Sequence, residues 1–205
     1  MGILFHFLLG FITSFLGTIF PSMLSMTTVK ISIRETKKKA VSFAFGVSFI
    51  VIGQAYVAVA FSKILLSNPA YLHTLQKIGT VVFTGLTIFF FYQAFKVQKK
   101  KEGQERKIKG VVSGMLFSLL NMFAIPFYFG VTSSLAMMDW YEFLPLNNLC
   151  FVLGSSLGTF SLLSLYVRLA KRIEKRMLWL ANKMDYILGT VTALVAIFNL
   201  IDLTT

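Results

Sequence analysis

Two sets of small and polar residues recur at matched spacing in an otherwise apolar chain. One is Gly10, Ser14, Gly17 and Pro21; the other is Gly114, Ser118, Asn121 and Pro126, with the first two intervals identical and the proline displaced by one. A second pairing is Gly46-x-Ser48 with Gly154-x-Ser156. A proline late in an apolar segment removes a backbone hydrogen bond and clashes with the preceding turn. The freed carbonyls then need neighbours, water or a ligand. Such a place suits a small zwitterion. Free N–H groups at the start of a broken helix take a carboxylate, and carbonyl and amide oxygens take an ammonium group. Pro21, Ser22, Gln54 and Asn121 offer these features without a buried charge, and Gly17 and Pro126 complete the candidate binding set. Gln54 and Asn121 have a second reading, as hydrogen-bond glue between helices.

Other chemistries find no support. A single cysteine, Cys150, excludes an internal disulfide, a CxxC pair and a Cys-rich zinc site. His6 and His73 have no carboxylates near them in sequence, so no metal site is expected, and no cofactor either. There is no phosphate loop, nucleophile motif or His/Asp/Glu cluster, which argues against an enzyme. No ionisable residue falls securely at a bilayer midplane, where one would be functional by default. Proton coupling is therefore left to peripheral groups: Asp185, Asp202, Asp139 or His6. Asp185, beside Tyr186, is the coupling candidate, and His6 reads as a wet interfacial histidine.

The elements that position these residues follow from composition. Of 205 residues, 56% are hydrophobic and 14% charged, and mean hydropathy is +0.75. A soluble domain of this size cannot hide so much apolar surface, so the chain reads as an integral, all-α membrane protein embedded in a lipid bilayer. No Lys, Arg, Asp or Glu occurs in Met1–Val29, Ala40–Ser62, Ile78–Phe95, Gly110–Met138 or Phe143–Val167. Each can span. A sixth stretch, Tyr186–Ile201, crosses if Trp179–Lys183 extends it, with Lys183 snorkelling.

The net charge of +12 is segregated, so it indicates topology and not nucleic acid. Of the 20 Lys and Arg, 18 fall in Lys30–Lys39, Lys96–Lys109 and Arg168–Lys183. The positive-inside rule places these three loops in the cytoplasm and both termini outside. The polar loop 96–109 divides the chain into three-helix units, 1–95 and 110–205. With an odd number of spans in each, the second unit is inserted upside down, giving inverted repeats. The small-residue pairs Gly110/Gly114, Gly154/Gly158 and Gly10/Ser14 let helices approach closely, as static packing, a moving seam or the face of a homo-oligomer.

Three stretches carry a wider likeness. Gly17-Thr-Ile-Phe-Pro21-Ser22-Met23 precedes the basic run Lys30–Lys39, Leu120-Asn121-Met122-Phe123-Ala124 lies in the fourth span, and Gly154-Ser-Ser-Leu-Gly158-Thr159 leads toward Arg168. With these, nearly the whole chain resembles the lysine exporter (LysE) family of bacterial amino-acid exporters. The family has a Pro-Gly-Pro-like turn, a Leu-Asn-Pro-Lys-Ala-like motif and a Gly-x-x-x-Gly-Thr stretch at these places. The chain departs at Ser22 and Met23, at Met122 and Phe123, and between Gly46 and Gln54, where many relatives carry an Asp. The resemblance implies a divergent secondary transporter in the bacterial inner membrane, exporting amino acids or similar small zwitterions. The departures leave open a non-transporting membrane scaffold of the same fold.

Overall fold

The structure, a computed structural model, describes residues 2–19, 22–67, 84–85, 87–88, 92, 110–121 and 123–204. Beyond Lys175 it describes side chains only at Thr190, Ala193, Leu194 and Ile197. Among the described residues the chain is all helix: α1 Ile3–Thr18, α2 Met23–Arg34, α3 Lys37–Leu66, α4 Gly110–Leu119, α5 Ala124–Met137 and α6 Pro145–Thr204. Contacts group the chain into Met1–Ile64 with Lys107–Met177, and Leu65–Arg106 with Leu178–Thr205. The contacts between helices described below lie in the first unit.

Two helices there are long and apolar enough to cross a membrane, Lys37–Leu66 and Pro145–Lys175. The first and fourth apolar stretches, expected as spans interrupted by proline, are broken. α1 and α2 meet at a bend of 73°, and α4 and α5 at 64°; counting each bent pair as one span gives up to four among the described residues. The third expected span, 78–95, lies outside the described residues except at five positions. Two basic segments expected as loops are largely helical. Lys30 and Arg34 belong to α2, and Arg168–Lys183 lies inside α6. The cause in α6 is composition: between Thr159 and Gly189 there is neither glycine nor proline, and Leu, Arg, Lys, Met, Ala and Glu favour helix.

Glycines set how these helices pack. A methyl group on Gly10 would overlap the Phe151 carbonyl, and one on Gly154 the Phe7 carbonyl. Gly158 abuts Phe11 in the same way, so α1 and α6 run parallel with their backbones in contact. The same arrangement joins α4 to α3, with Gly114 against the Phe43 carbonyl and Gly46 against that of Val111. In lipid there is no hydrophobic force between helices, and small residues gain association through close packing. α3 and α6 meet where the Ser156 hydroxyl donates to the Ser48 carbonyl, 2.8 Å. The Phe45 and Phe160 rings stand edge to face nearby.

The outward faces match too. Leu8, Ile12 and Leu16 of α1 are exposed, as are Val112, Leu116 and Leu120, each 104 residues further on. Val41, Phe45, Phe49 and Val57 of α3 are exposed, and so are Leu149, Leu153, Leu157 and Leu165, each 108 further on. The buried face of α1 is His6, Gly10 and Ser14, and that of α4 is Gly114 and Ser118. Leucine outside and glycine or serine inside is the pattern of a helix whose solvent is lipid. The two apolar clusters are also matched. One gathers Leu24 with Phe43, Ala44, Leu163 and Val167, and the other gathers Tyr128 with Phe151, Val152, Ala55 and Val59.

Close approach makes these glycines intolerant of volume. Gly154→Ala is expected to cost about 1–3 kcal/mol through overpacking. Gly53, whose added methyl group would meet open space, should gain about 0.5–1 kcal/mol when changed to Ala. Unfolding in detergent, followed by tryptophan emission, measures both.

Candidate functional site

The first break is closed locally at its α2 side. Ser22 adopts an extended conformation and caps α2. The Ser25 N–H donates to the Ser22 hydroxyl (3.4 Å), and the Ser22 N–H donates to the Ser25 hydroxyl (3.1 Å). This reciprocal capping box meets two donors that a helix start otherwise leaves unpaired. On the α1 side, the Thr18 hydroxyl donates back to the Ser14 carbonyl, 2.8 Å. The Ile19 carbonyl, beyond the end of α1, accepts the Tyr166 hydroxyl from α6 at 2.6 Å. Pro21 lies outside the described residues, and Ser22 is exposed.

The second break is tighter. The Asn121 N–H donates to the Ser118 carbonyl (3.0 Å), and the Ala124 N–H donates to the Asn121 carbonyl (3.3 Å). Phe123 precedes α5 without a side-chain cap. Pro126 is the third residue of α5 and is exposed. This corrects the expectation that its ring removes a helical hydrogen bond. In a first turn the missing N–H would have had no intrahelical partner, so Pro126 helps begin a helix.

Gln54 and Asn121 meet at one atom. The Gln54 Nε2 donates to the Ser118 carbonyl at 2.8 Å, the same oxygen that accepts Asn121. The Ser118 hydroxyl donates to Gln54 Oε1 at 3.4 Å. Both ends of the buried Gln54 amide are thus engaged with Ser118, as interhelical glue would be. Asn121 differs: it is half-buried, and its carboxamide has no hydrogen-bond partner among the described residues.

Gly17 and the start of α5 also come together. A methyl group on Gly17 would run into the Phe127 ring, the residue after Pro126. One turn back along α1, the Ser14 hydroxyl lies 2.7 Å from the Tyr128 hydroxyl and 2.6 Å from that of Thr159. Ser14, Tyr128 and Thr159 are all buried. The cluster ties α1, α5 and α6 beside the breaks. Sequence reasoning did not select Tyr128 or Thr159 for the site.

At the other end of α1 a second expectation is corrected. His6 is fully buried, not wet. Its Nδ1 lies 3.2 Å from the Gly2 carbonyl, and its Nε2 accepts the Glu142 N–H at 3.3 Å. Satisfying both requires the neutral ring with its proton on Nδ1. Its edge packs on Tyr141, centroids 5.2 Å apart. The Tyr141 hydroxyl donates to Asn148 Oδ1 (3.0 Å), and burial pushes that phenol well above the ordinary tyrosine range, so it stays neutral. Its partners at this end are the Glu142 backbone, 136 residues away in sequence, and the Tyr141 ring. Asp139 is exposed and holds a left-handed backbone, φ 59°. The Asp185 and Asp202 side chains lie outside those described. Among the described residues no group of three His, Cys, Asp or Glu could hold a metal ion.

Removing the imidazole takes away the acceptor of the Glu142 N–H and the edge contact with Tyr141, both made by a fully buried side chain. His6→Ala is expected to cost about 1–3 kcal/mol, read as a lower unfolding midpoint in detergent. His6→Gln, which can accept the same bond, should recover part of it.

The family model described as LysE type translocator matches residues 7–203. No curated protein and no solved structure matches the chain.

Proposed function

We propose that the chain, which belongs to the LysE type translocator family, exports amino acids or similar small zwitterions from the cytoplasm. It is a multi-pass membrane protein of a transporter family, with helices long and apolar enough to cross a bilayer. The membrane is the bacterial inner membrane, as the family resemblance implies, and the distribution of Lys and Arg supports six spans with both termini outside. The units 1–95 and 110–205 are inverted three-span repeats; within them the helix triplets α1–α3 and α4–α6 support this through their reciprocal glycine contacts and matched exposed faces.

The observation that carries this reading is the pair of broken helices at corresponding places in the two triplets. Paired discontinuous helices are where secondary transporters build a central binding site, with backbone groups serving in place of buried charge. The substrate carboxylate lies at the start of α2, near Pro21 and Ser22. The ammonium group lies near the Asn121 amide oxygen and the break carbonyls, with Gly17 and Pro126 shaping the space. Gln54 supports Asn121 through Ser118. The coupling group remains Asp185, on the grounds of its place at the start of the sixth apolar stretch.

Counterflow tests this without presupposing an ion. Protein in liposomes loaded with a mixture of unlabelled amino acids is expected to accumulate one class of labelled amino acid. Asn121→Ala is expected to lower that rate about tenfold or more, the effect of losing one hydrogen bond to a charged group. No accumulation by folded, inserted protein would move the reading to the scaffold. A full rate in Asn121→Ala would refute the site.

A further inference from the structure

We propose that Gln54 and Tyr166 are positioning residues that hold the two helix breaks, each reaching from the unbroken helix of one triplet to the break of the other. In a continuous helix the Ile19 carbonyl would accept the N–H of residue 23, and the Ser118 carbonyl that of residue 122. The bends of 73° and 64° disrupt this pattern. A carbonyl left over inside lipid is costly, so it must find another donor. At the first break the donor is the Tyr166 hydroxyl from α6, 2.6 Å from Ile19 O. At the second the Ser118 carbonyl takes the Asn121 N–H at 3.0 Å, and the Gln54 amide from α3 adds a second donor at 2.8 Å.

The two braces are not copies of one ancestral contact. By the offset of 108 that relates α3 to α6, Tyr166 corresponds to Ala58 and Gln54 to Leu162. Both counterparts are buried and neither can donate. Different side chains at unrelated positions thus do the same mechanical work. That recurrence points to a requirement of the bent geometry itself. Each bond also joins one triplet to the other, so any relative movement of the triplets must break or exchange it. In this respect the inference rests on the transport reading. The bending of the helices does not.

Cysteine accessibility tests it without a substrate. Cys150, the sole cysteine, is replaced by Ala, and Ser22→Cys or Asn121→Cys is introduced as reporter. Labelling by an impermeant maleimide is followed in oriented membrane vesicles, from each side. Tyr166→Phe is expected to change the rate at position 22 about fivefold, the factor of one net hydrogen bond, and to leave position 121 as it was. Gln54→Leu is expected to do the reverse, with Gln54→Met as the second variant should the first fail to insert. Unfolding midpoints of the variants in detergent are compared alongside. Unchanged rates at both positions would overturn the proposal. So would an equal change at both positions from either variant, which is general loosening. A chain that labels as expected but shows no amino-acid counterflow would refute the transport reading and leave the braces standing.

Discussion

Backbone contact between helices at glycine is the constraint on which the remaining geometry depends. α1 can reach α6, and α4 can reach α3, only because Gly10, Gly154, Gly158, Gly46 and Gly114 lack a side chain. That approach brings Ser14 within 2.6 Å of Thr159 and sets Gly17 under the Phe127 ring. With a wider separation the hydroxyls would not meet, and each would be a buried polar group without a partner, which lipid penalises heavily. Packing and polar satisfaction are therefore one problem here. The glycines solve the first part and the serines and threonines beside them solve the second.

The chain carries this solution twice, with differences. Thr28 and Thr132, 104 residues apart, each donate back to the carbonyl four residues earlier, Leu24 and Tyr128, at 2.8 Å. Ser14 and Ser118 hold equivalent places, yet Ser14 binds Tyr128 and Thr159 while Ser118 binds Gln54. The scaffold is matched and the polar dressing is not. The surroundings of the two breaks are therefore asymmetric, Ser14 facing hydroxyls and Ser118 an amide.

Much of this was legible in the sequence, for a physical reason. Small residues at matched intervals are conspicuous in an apolar chain, and lipid leaves few other ways to pack helices. Gly10, Ser14, Gly114, Gly154 and Gly158 therefore marked places of close helix approach, though not which helices meet there. The bends were less legible. Pro126 drew attention to the right turn but acts three residues downstream of the break, inside the new helix. His6 was misread because its partners Glu142 and Tyr141 are far away in sequence. The partners of Tyr166 and Tyr128 were hidden likewise, since local pattern does not say where a phenol's hydroxyl points.

Pro126 also limits the kinds of movement open to the molecule. Were α4 and α5 to fuse into one rod, its ring would collide with the carbonyl four residues earlier, a cost of about 3 kcal/mol or more. The joint between them is thus favoured by the covalent chain itself, in addition to the side chain of Gln54 that reaches it. A change of angle between the two rods is therefore easier here than their fusion.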